Sequence, residues 1–557
     1  MLFSLFSKLS GNKKIKCLLI TPPLIDSEAV YSAMPILAGQ LINNGYAAEN
    51  LDLNIKFFRT VLSESYLLKT KKLLNSKKIK YDNERADYYI KNISAVIEQY
   101  RTQPKDTAEF KQAEKQIDEI LKFISLPYKN FELSLSSAFD CFAGGCYRRH
   151  NLDNITGSKD ENIFIDFFGR ALNGIKKEKP DLIFITIPFI GALIPALTLS
   201  RMLKQKTKAF IALGGSFLKY EDLRIWPDFF GRYCDFVLIG DGEEAALNLA
   251  QAVKNPKILI NTAGLMYKNE SGIIIFNEPK PVLKMNTLAN MSYEGINFDE
   301  YMRRNPSVDM MLSKGCSWGK CNFCALAQKE GGYRIKPPKI AARDIKELIT
   351  KYGRIFTLRF QDDSLPPLYL DKLADEIIKA DIHINYFIFA RFEKEFTKEL
   401  FEKLYKSGLR SIFWGLESGS ITVLKKMNKG IELDNVFDIL KNAYETGIDN
   451  LTGVIINFPG ETIEEYNETL NFLMKIKKYT KFAPGNFNVM KNSIIEKNPE
   501  KFGIKITGYN EFCYNAEWID LNISNEERER RWNYFLKIIS DEGYELDRTI
   551  VKDINYA

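Results

Sequence analysis

The chain has 557 residues, of which 45% are hydrophobic and 27% are charged. This balance is typical of a globular protein of about two to four domains, and it excludes a disordered chain, a collagen and a small disulfide-bonded scaffold. Lys and Arg together number 78 against 71 Asp and Glu, without a long block of like charge. A nucleic-acid partner is therefore not expected. The two histidines, His150 and His383, are too few for a histidine-rich zinc or di-iron site.

The sequence contains no stretch of about 18 apolar residues that would predict a membrane span. Its first residues, MLFSLFSKLS, lack the basic region and the long apolar core of a signal peptide. The eight cysteines are unevenly spaced, and three of them fall within nine residues. This pattern argues against a disulfide framework and favours a cytoplasmic location.

Strands and helices alternate in the N-terminal part of the chain, with one long interruption. Continuous apolar runs predict strands buried on both faces, and these are expected at 15–21, before Asp52, and at 181–188, 208–215 and 235–240. Helices are expected at about 34–44, at 195–205 and from Glu243. Lys-rich helical sequence interrupts the series from about 55 to 160. Such alternation predicts a parallel sheet with helices on both faces.

A second alternating series follows a linker, which contains a predicted hairpin at 256–285. Its strands are expected at 308–313, 355–360, 384–389, 409–416, 451–458 and 482–490. Its helices are expected at 341–352, 369–380, 397–407, 434–446 and 462–477. Six βα units of this length are typical of a partial (β/α) barrel. The remaining residues, 501–557, predict a single helix.

The predicted fold class is therefore α/β. It comprises a Rossmann-like doubly wound parallel sheet, then a partial (β/α)6 barrel, with a helical insertion and a small C-terminal region. The predicted domains are 1–255 with the insertion at about 55–160, a linker at 256–306, the barrel at 307–500, and a substrate-binding or capping region at 501–557.

The sharpest motif is Cys316-SWGK-Cys321-NF-Cys324, which follows a predicted strand. Three thiolates this close in sequence can converge on one metal centre. A structural zinc site needs four ligands, and no fourth Cys or His lies nearby. A [4Fe–4S] cluster held by three cysteines instead leaves one iron open for another ligand. Zinc, or three cysteines without a metal, are the alternatives.

A second close cysteine pair, Cys141 and Cys146, lies in the segment CFAGGC. Two thiols cannot hold a four-iron cluster. The simpler interpretation is a glycine-rich loop with incidental thiols, and a reactive pair or a place in a substrate channel is the alternative.

Predicted strand ends of the N-terminal sheet carry residues suited to ligand binding, because ligands of open parallel sheets bind outside the carboxyl ends of the strands. Glycines there let the backbone approach a large flat ligand closely. The candidates are Pro22, Pro23, Thr186, Pro188, Phe189, Gly214, Gly215, Ser216, Gly240, Asp241, Gly242 and Glu243. Neither G-x-G-x-x-G nor G-K-[ST] occurs, which argues against a dinucleotide site and a P-loop.

The segment GCSWGKCNFCA and the barrel-like series behind it resemble the radical S-adenosylmethionine (SAM) superfamily, in its Elp3/MiaB-like subset. The usual cysteine spacing of that family is three residues and then two, whereas here it is four and then two. The resemblance covers about residues 308–500. It implies a [4Fe–4S] cluster on Cys316, Cys321 and Cys324, with SAM bound to the open iron.

The same resemblance implies a set of SAM contacts. Phe323 would lie near the adenine, and Arg391 would pair with the SAM carboxylate. The segment RFQDDSL would offer backbone groups to the SAM amino group, and GLESGS and FPGET would reach the methionyl or ribose end and the nucleoside. The residues concerned in these three segments are Gln361, Asp362, Asp363, Glu417, Ser418, Pro459 and Gly460.

The N-terminal sheet resembles the cobalamin-binding domain that precedes the barrel in a large radical SAM subfamily. A strand ending in two prolines, a GG loop and a GDGE loop occur here in the same order, over about 15–54 and 160–255. The D-x-H-x-x-G signature is absent, so the resemblance implies base-off cobalamin with no protein histidine on cobalt. The alternative is a Rossmann-like domain that has lost its ligand or only docks the substrate.

Together the two resemblances imply a class B radical SAM methyltransferase. A 5′-deoxyadenosyl radical would remove hydrogen from an unactivated carbon of a peptide or another natural product, and methylcobalamin would donate the methyl group. The expected partners are a small-molecule or peptide substrate and a reductant such as flavodoxin or ferredoxin, with no membrane.

Three other functions are weighed against this one. The first is a cobalamin- and SAM-dependent cyclisation, ring contraction or oxidation. The second is a tRNA methylthiotransferase, which would need a second N-terminal cysteine trio and a C-terminal β-domain that the sequence does not show. The third is a non-enzymatic cobalamin or redox sensor.

Overall fold

The computed structural model describes residues 14–128, 131–135, 148–281, 284–325, 331–353 and 357–541. The chain forms two compact units, one of residues 1–282 and 288–306, the other of residues 283–287 and 307–557. No helix among the described residues is long and apolar enough to cross a membrane.

The first unit is built on a seven-stranded sheet. Its strands are β1 (Lys16–Thr21), β2 (Ala47–Asp52), β3 (Leu182–Thr186), β4 (Phe210–Gly214), β5 (Phe236–Leu238), β6 (Leu265–Lys268) and β7 (Ile274–Phe276). They lie in the order β2-β1-β3-β4-β5-β6-β7. The first five of that order are parallel, and β6 and β7 add an antiparallel hairpin at the edge. The hairpin predicted within the linker thus pairs with β5.

The sequence explains why this sheet is buried on both faces. Strand β3 reads LIFIT and is buried throughout its length, as continuous apolar runs in parallel sheets are. One core cluster contains side chains of β1, β3 and β4 together with those of two flanking helices. The described helices of this unit are Ala33–Asn43, Leu53–Val61, Glu64–Ser76, Asn83–Thr102, Ala108–Ser125, Arg149–Ile155, Phe164–Glu178, Leu193–Lys206, Phe229–Arg232 and Gly242–Ala252.

The segment predicted as a helical insertion is mostly helical where the structure describes it, apart from short connections and residues 131–135. Four of its helices begin at side-chain caps, because Asp52, Ser63, Asp82 and Thr107 each accept a hydrogen bond from a backbone N–H in the first turn. Helix Arg149–Ile155 has no such cap. The cysteine pair Cys141 and Cys146 lies outside the described residues.

The second unit holds six parallel strands in sequential order. They are β8 (Ser307–Met310), β9 (Thr357–Phe360), β10 (Asn385–Ala390), β11 (Leu409–Glu417), β12 (Asp449–Ile456) and β13 (Lys481–Asn486). Each pairs in parallel with the strand that follows it, which is the arrangement of a partial (β/α) barrel. The predicted α/β fold class, with a doubly wound sheet followed by this barrel, is confirmed.

The described helices of this unit are Pro338–Tyr352, Pro367–Lys379, Lys398–Ser407, Ile421–Lys426, Leu433–Glu445, Ile463–Ile476, Ile494–Lys497 and Asn525–Asp541. The unit also contains an antiparallel hairpin, β14 (Ile504–Tyr509) and β15 (Ala516–Asp520), that the sequence did not predict. Its two strands span only five or six residues each and are half exposed, so they lack the apolar run that marked the buried strands.

Candidate functional site

The three-cysteine loop follows β8 at the carboxyl-end edge of the barrel strands. A two-residue antiparallel ladder between Ser313–Lys314 and Arg334–Ile335 closes its base. Cys321 is buried, and Cys316 and Cys324 are partly exposed. In the described part of the chain, no three side chains of His, Cys, Asp or Glu lie close enough together to ligate a single metal ion.

Hydrogen bonds hold the loop against the segment that follows helix Ile421–Lys426. The Asn322 backbone N–H donates to the Met427 carbonyl at 2.9 Å, and its side-chain amide donates to the Lys426 carbonyl at 2.8 Å. The Trp318 indole N–H donates to the Asn428 carbonyl at 2.8 Å, and the Asn428 amide donates back to the Lys320 carbonyl at 2.8 Å. The ladder and these hydrogen bonds therefore hold the backbone that carries the cysteines.

Arg391 lies directly after β10, where the sequence predicted a cationic partner for a carboxylate. Its guanidinium stacks over the Trp318 ring at 4.3 Å, and Nη2 donates to the Lys429 carbonyl at 2.8 Å. Its other terminal nitrogen, Nη1, is buried and has no hydrogen-bond partner among the described residues. A buried, unpartnered guanidinium nitrogen is costly unless something else binds it.

Charges of both signs surround the Cys321 thiol, and Glu417 and Cys316 act with burial to raise its pKa. Burial raises the pKa of the Cys321 thiol, and the charges of Lys429 and Arg391 oppose that rise. Burial lowers the pKa of Arg391, and Cys321 and Cys316 act in the opposite direction. Positive charge next to thiolates stabilises an anionic metal centre.

Glu417 and Ser418, predicted as SAM contacts, are engaged by protein groups. Glu417 has a φ of +72° at the end of β11, and its carboxylate accepts a hydrogen bond from Lys429 Nζ at 2.7 Å in a buried ion pair. The Ser418 hydroxyl lies 2.9 Å from that of Thr469. Each oxygen nevertheless keeps acceptor capacity for a further hydrogen bond.

Asp362 clamps the backbone that leads to the cysteine loop. The Leu312 N–H donates to its carboxylate at 3.0 Å, the Ser313 hydroxyl at 2.6 Å, and the Ser313 N–H donates as well. This contact explains why β8 ends at Met310 rather than at the predicted residue 313. Burial raises the pKa of Asp362 to about 7, although these hydrogen bonds act to lower it. The two residues beside Asp362 have different surroundings. The Gln361 side-chain amide donates to Asp309 at 3.2 Å, and Asp363 is exposed.

Two buried hydroxyl groups near Asp362 could not be identified from the sequence. The Ser364 and Tyr369 hydroxyls are both buried without a hydrogen-bond partner among the described residues. Burial and the charge of Asp362 raise the pKa of Tyr369. No spacing or motif marks a single Ser or Tyr as a ligand contact, so only the tertiary structure shows them.

Phe323 and the Pro459-Gly460 turn meet around one apolar cluster. Phe323 packs against a buried group that includes Met427, Phe458 and Phe487, as does Trp518 of β15. Lys426 Nζ donates to the Gly460 carbonyl at 2.8 Å, and the Gly460 N–H donates to Asp520 at 3.4 Å. The unpredicted hairpin β14–β15 therefore holds the turn at the end of β12.

In the first unit, the parallel topology brings the predicted strand ends to one edge of the sheet. Pro22 and Pro23 follow β1, Thr186 ends β3 and continues into Pro188 and Phe189, Gly214 to Ser216 follow β4, and Gly240 to Glu243 follow β5. The order β2-β1-β3 makes the gap between β1 and β3 the topological switch point, where such sheets bind ligands. The Thr186 hydroxyl at this gap is fully buried and has no partner among the described residues.

The glycines at this edge serve the packing of the protein itself. A Cβ on Gly215, whose φ is +111°, would lie 2.4 Å from the Ile187 carbonyl oxygen. A Cβ on Gly240, whose φ is +90°, would lie 2.9 Å from Pro279. The other loop contacts are also internal, since the Ser216 hydroxyl donates to the Pro188 carbonyl at 2.9 Å. Asp241 is the N-cap residue of helix Gly242–Ala252, and Glu243 is buried.

Comparison with known proteins identifies the second unit. Residues 310–473 match the model of the Radical SAM superfamily. The chain contains a radical SAM domain. That family implies a [4Fe–4S] cluster and SAM as cofactors, and the protein is accordingly a radical SAM enzyme.

A curated relative matches well beyond this domain. An uncharacterized methyltransferase of Pyrococcus horikoshii is 27% identical over 337 residues, which is 59% of this chain and 70% of the relative. Two methylthiotransferases, one of Methanocaldococcus jannaschii and one of Clostridium botulinum, match 32–34% of this chain. The match covers 44–46% of their own length, so the chain spans less than half of each.

Two solved structures share the fold over nearly the whole chain. The cobalamin-dependent S-adenosylmethionine radical enzyme OxsB, with aqua-cobalamin and S-adenosylmethionine bound, has a TM-score of 0.62 at 13% identity, covering 97% of this chain and 68% of OxsB. The radical S-adenosylmethionine methyltransferase TsrM from Kitasatospora setae, with cobalamin and a [4Fe–4S] cluster bound, has a TM-score of 0.55 at 12% identity, covering 95% of this chain and 89% of TsrM. At these identities the likeness shows a common fold.

Proposed function

We propose that this protein is a cobalamin-dependent radical SAM methyltransferase that acts on an unactivated carbon of a peptide or another natural product. The observation that carries the radical SAM part is the fixed three-cysteine loop beside Arg391, whose buried Nη1 lacks a partner among the described residues. When bound, the cluster and SAM supply a 5′-deoxyadenosyl radical that removes hydrogen from carbon, and cobalamin carries the methyl group.

The proposed cluster ligands are Cys316, Cys321 and Cys324. The thiolate donor set suits iron–sulfur chemistry, and the cations Lys429 and Arg391 compensate its charge. Three ligands on four irons leave one iron for SAM.

The proposed SAM contacts follow from the unpartnered polar groups. Arg391 Nη1 offers a charge-assisted hydrogen bond to the SAM carboxylate. Ser364 and Tyr369 offer hydroxyl groups to its polar atoms. Gln361, Asp362 and Asp363 contribute backbone groups, and the remaining acceptor positions of Glu417 and Ser418 contribute at the methionyl or ribose end.

The proposed nucleoside contacts are Phe323 and the turn at Pro459 and Gly460. They border the same apolar cluster, which gives an adenine ring a flat, water-poor surface. Lys426 and Asp520 fix the turn in place.

Cobalamin is proposed to bind at the carboxyl edge of the first sheet. The buried, unpartnered Thr186 hydroxyl at the switch point supports a ligand there, and the solved structures of the same fold are described with cobalamin bound. Neither histidine belongs to a loop that follows a strand of this sheet, since His150 is exposed on helix Arg149–Ile155 and His383 precedes β10 of the second unit. The cobalamin is therefore proposed to be base-off without a protein histidine on cobalt. The flavodoxin or ferredoxin reductant and the cytoplasmic location are part of the same proposal.

Anaerobic reconstitution with iron, sulfide and hydroxocobalamin tests the proposal. We expect about four irons per chain, corrinoid retained after desalting, and 5′-deoxyadenosine on reduction with SAM. The triple variant Cys316→Ala/Cys321→Ala/Cys324→Ala should lose the iron, whereas Cys513→Ala, a partly exposed cysteine outside the loop, should keep it. Iron retained by the triple variant would contradict the cluster assignment.

Two further measurements distinguish methyl transfer from the other functions. Thr186→Val should weaken corrinoid retention, and Thr207→Val, at the opposite end of β4, should not. Formation of S-adenosylhomocysteine alongside 5′-deoxyadenosine supports methyl transfer. Release of 5′-deoxyadenosine alone would instead indicate a cyclisation, ring contraction or oxidation, and no cleavage of SAM would indicate a sensor.

A further inference from the structure

A cationic pocket in the first unit lies outside every residue assigned above. It is a cavity of about 350 Å³ between helix Leu53–Val61 and helix Phe164–Glu178. Cavities of this size accommodate small organic ligands. Three cations line it, Lys56, Arg59 and Arg170, together with a single carboxylate, Glu300.

The helical periodicity explains why these side chains share the pocket. Leu53, Lys56 and Thr60 are spaced by three and four residues and so occupy one face of their helix. Phe167, Arg170 and Ala171 repeat the pattern on the facing helix. Each helix therefore contributes both cationic and apolar side chains to the lining.

The apolar part of the lining is formed by Leu53, Phe167 and Ala171, and it rests on the protein core. Phe167 is buried and packs edge to face against Phe57, with 5.4 Å between the ring centroids. Phe57 in turn packs against Phe164 at 5.0 Å. Ala171 and the small exposed part of Phe167 are therefore the apolar surface that a ligand can contact.

Protein groups use the pocket cations only in part. Arg59 Nη1 donates to the Asp299 carbonyl at 3.3 Å, which holds its guanidinium at the rim. Lys56 and Arg170 form no hydrogen bond or ion pair of the usual length with the described residues. The nearby acids have other partners, because Asp52 accepts hydrogen bonds from Tyr301 and from the Ile55 N–H, and Asp166 pairs with Lys69 at 2.9 Å.

We propose that this pocket binds a phosphate monoester whose organic part packs against Ala171 and the exposed part of Phe167. Three cations against one carboxylate leave two positive charges, which matches the charge of about −1.5 to −2 on a phosphate monoester at neutral pH. The guanidinium groups of Arg59 and Arg170 suit bidentate contact with phosphate oxygens. Glu300 then accepts a hydrogen bond from a hydroxyl or amine of the organic part.

Calorimetric titration with phenyl phosphate tests the site on the full-length protein, without SAM or reductant. We expect millimolar or tighter binding that Lys56→Gln and Arg170→Gln each weaken about tenfold or more, as expected when a charge-assisted contact is lost. Lys176→Gln is the matched control, since Lys176 is an exposed cation on the same helix outside the pocket. Inorganic phosphate should bind more weakly than phenyl phosphate because it has no group to pack against the apolar side chains of the lining.

Several outcomes would overturn the proposal. One is the absence of binding at millimolar phenyl phosphate, and another is equal weakening by Lys56→Gln and Lys176→Gln. Equal affinity for benzoate and phenyl phosphate would show that a monoanion suffices and would reject the phosphate class. Circular dichroism of each variant establishes that it is folded. The readout is binding alone, so it is independent of whether the protein transfers a methyl group.

Discussion

At the scale of single residues, Gly430 decides where Trp318 sits. The backbone at Gly430 has a φ of +65°, and a Cβ at this position would lie 2.2 Å from the Trp318 ring. Trp318 in turn stacks on Arg391 and bonds to the Asn428 carbonyl. A residue without any chemistry of its own thus controls the position of the cysteine loop.

We predict that Gly430→Ala lowers the iron content of the reconstituted protein. The added methyl group must displace the Trp318 ring, which loosens the loop that holds the cysteines. The matched control is Gly353→Ala, because Gly353 has nearly the same φ, +63°, and a Cβ there would have no neighbouring atom within 4 Å. Both variants should lose about 1 kcal/mol of stability from the left-handed backbone.

Iron and SAM-binding measurements on the two alanine variants check this. Equal iron content in Gly430→Ala and Gly353→Ala would show that the Trp318 contact does not position the loop.

At the same scale, some candidate contacts could be named from the sequence and others could not. The family resemblance pointed to Arg391, and its guanidinium lies over the ring of Trp318 in the cysteine loop. Ser364 and Tyr369 were not predicted, because a buried hydroxyl without a partner is a property of its surroundings and not of its neighbours in the chain.

At the scale of elements, one carboxylate joins β9 to the loop that follows β8. Asp362 follows β9 and accepts hydrogen bonds from Leu312 and Ser313, three to four residues before Cys316. The hydrogen bonds between the two parallel strands hold only the strands themselves. The Asp362 carboxylate also holds the backbone that leads to the cysteine loop.

We predict that Asp362→Ala reduces both cluster retention and stability. Buried backbone N–H groups lose their acceptor, and each such loss costs about 1–3 kcal/mol. Asp362→Asn should have a smaller effect, since its side-chain carbonyl still accepts. The control is Glu402→Ala, which removes an exposed carboxylate on helix Lys398–Ser407 and should change neither quantity.

Iron content and urea unfolding of these three variants give the measurement. An Asp362→Ala protein that keeps wild-type iron would contradict the clamp, even if its stability fell.

At the scale of the whole molecule, a buried acid makes stability depend on pH. Glu461 is fully buried, and burial raises its pKa to about 7, although the Asn457 N–H and Arg531 act to lower it. An unfolded glutamate has a pKa of about 4.3. The folded state therefore binds more protons than the unfolded state between these two values, so this group makes stability fall as pH rises through that window.

We predict that Glu461→Gln removes this part of the pH dependence. The glutamine is neutral at every pH and its carbonyl can still accept from the Asn457 N–H, which Glu461 does at 3.0 Å. The difference in unfolding free energy between variant and wild type should shift in favour of the variant from pH 5 to pH 8, by at most about 1.4 kcal/mol per pH unit. Urea unfolding of both proteins at several pH values checks this, and parallel curves would refute it.

The sequence by itself determined the order of strands and helices and the positions where chemistry collects. Apolar runs and three closely spaced cysteines are local patterns, so they can be recognised in the chain before its fold is known. The strand ends that carry Thr186 and Gly215 could likewise be identified before their sheet was known.

Only the tertiary structure decided which of these residues face one another and which are already satisfied. Asp362 binds the backbone that leads to the cysteine loop, and Glu417 pairs with Lys429. The hairpin β14–β15 contacts the turn at Gly460 through Asp520. The pocket around Lys56 and Arg170 joins helices more than 100 residues apart in sequence. Such contacts depend on packing between distant segments, and no pattern along the chain records which distant side chain fills a given place.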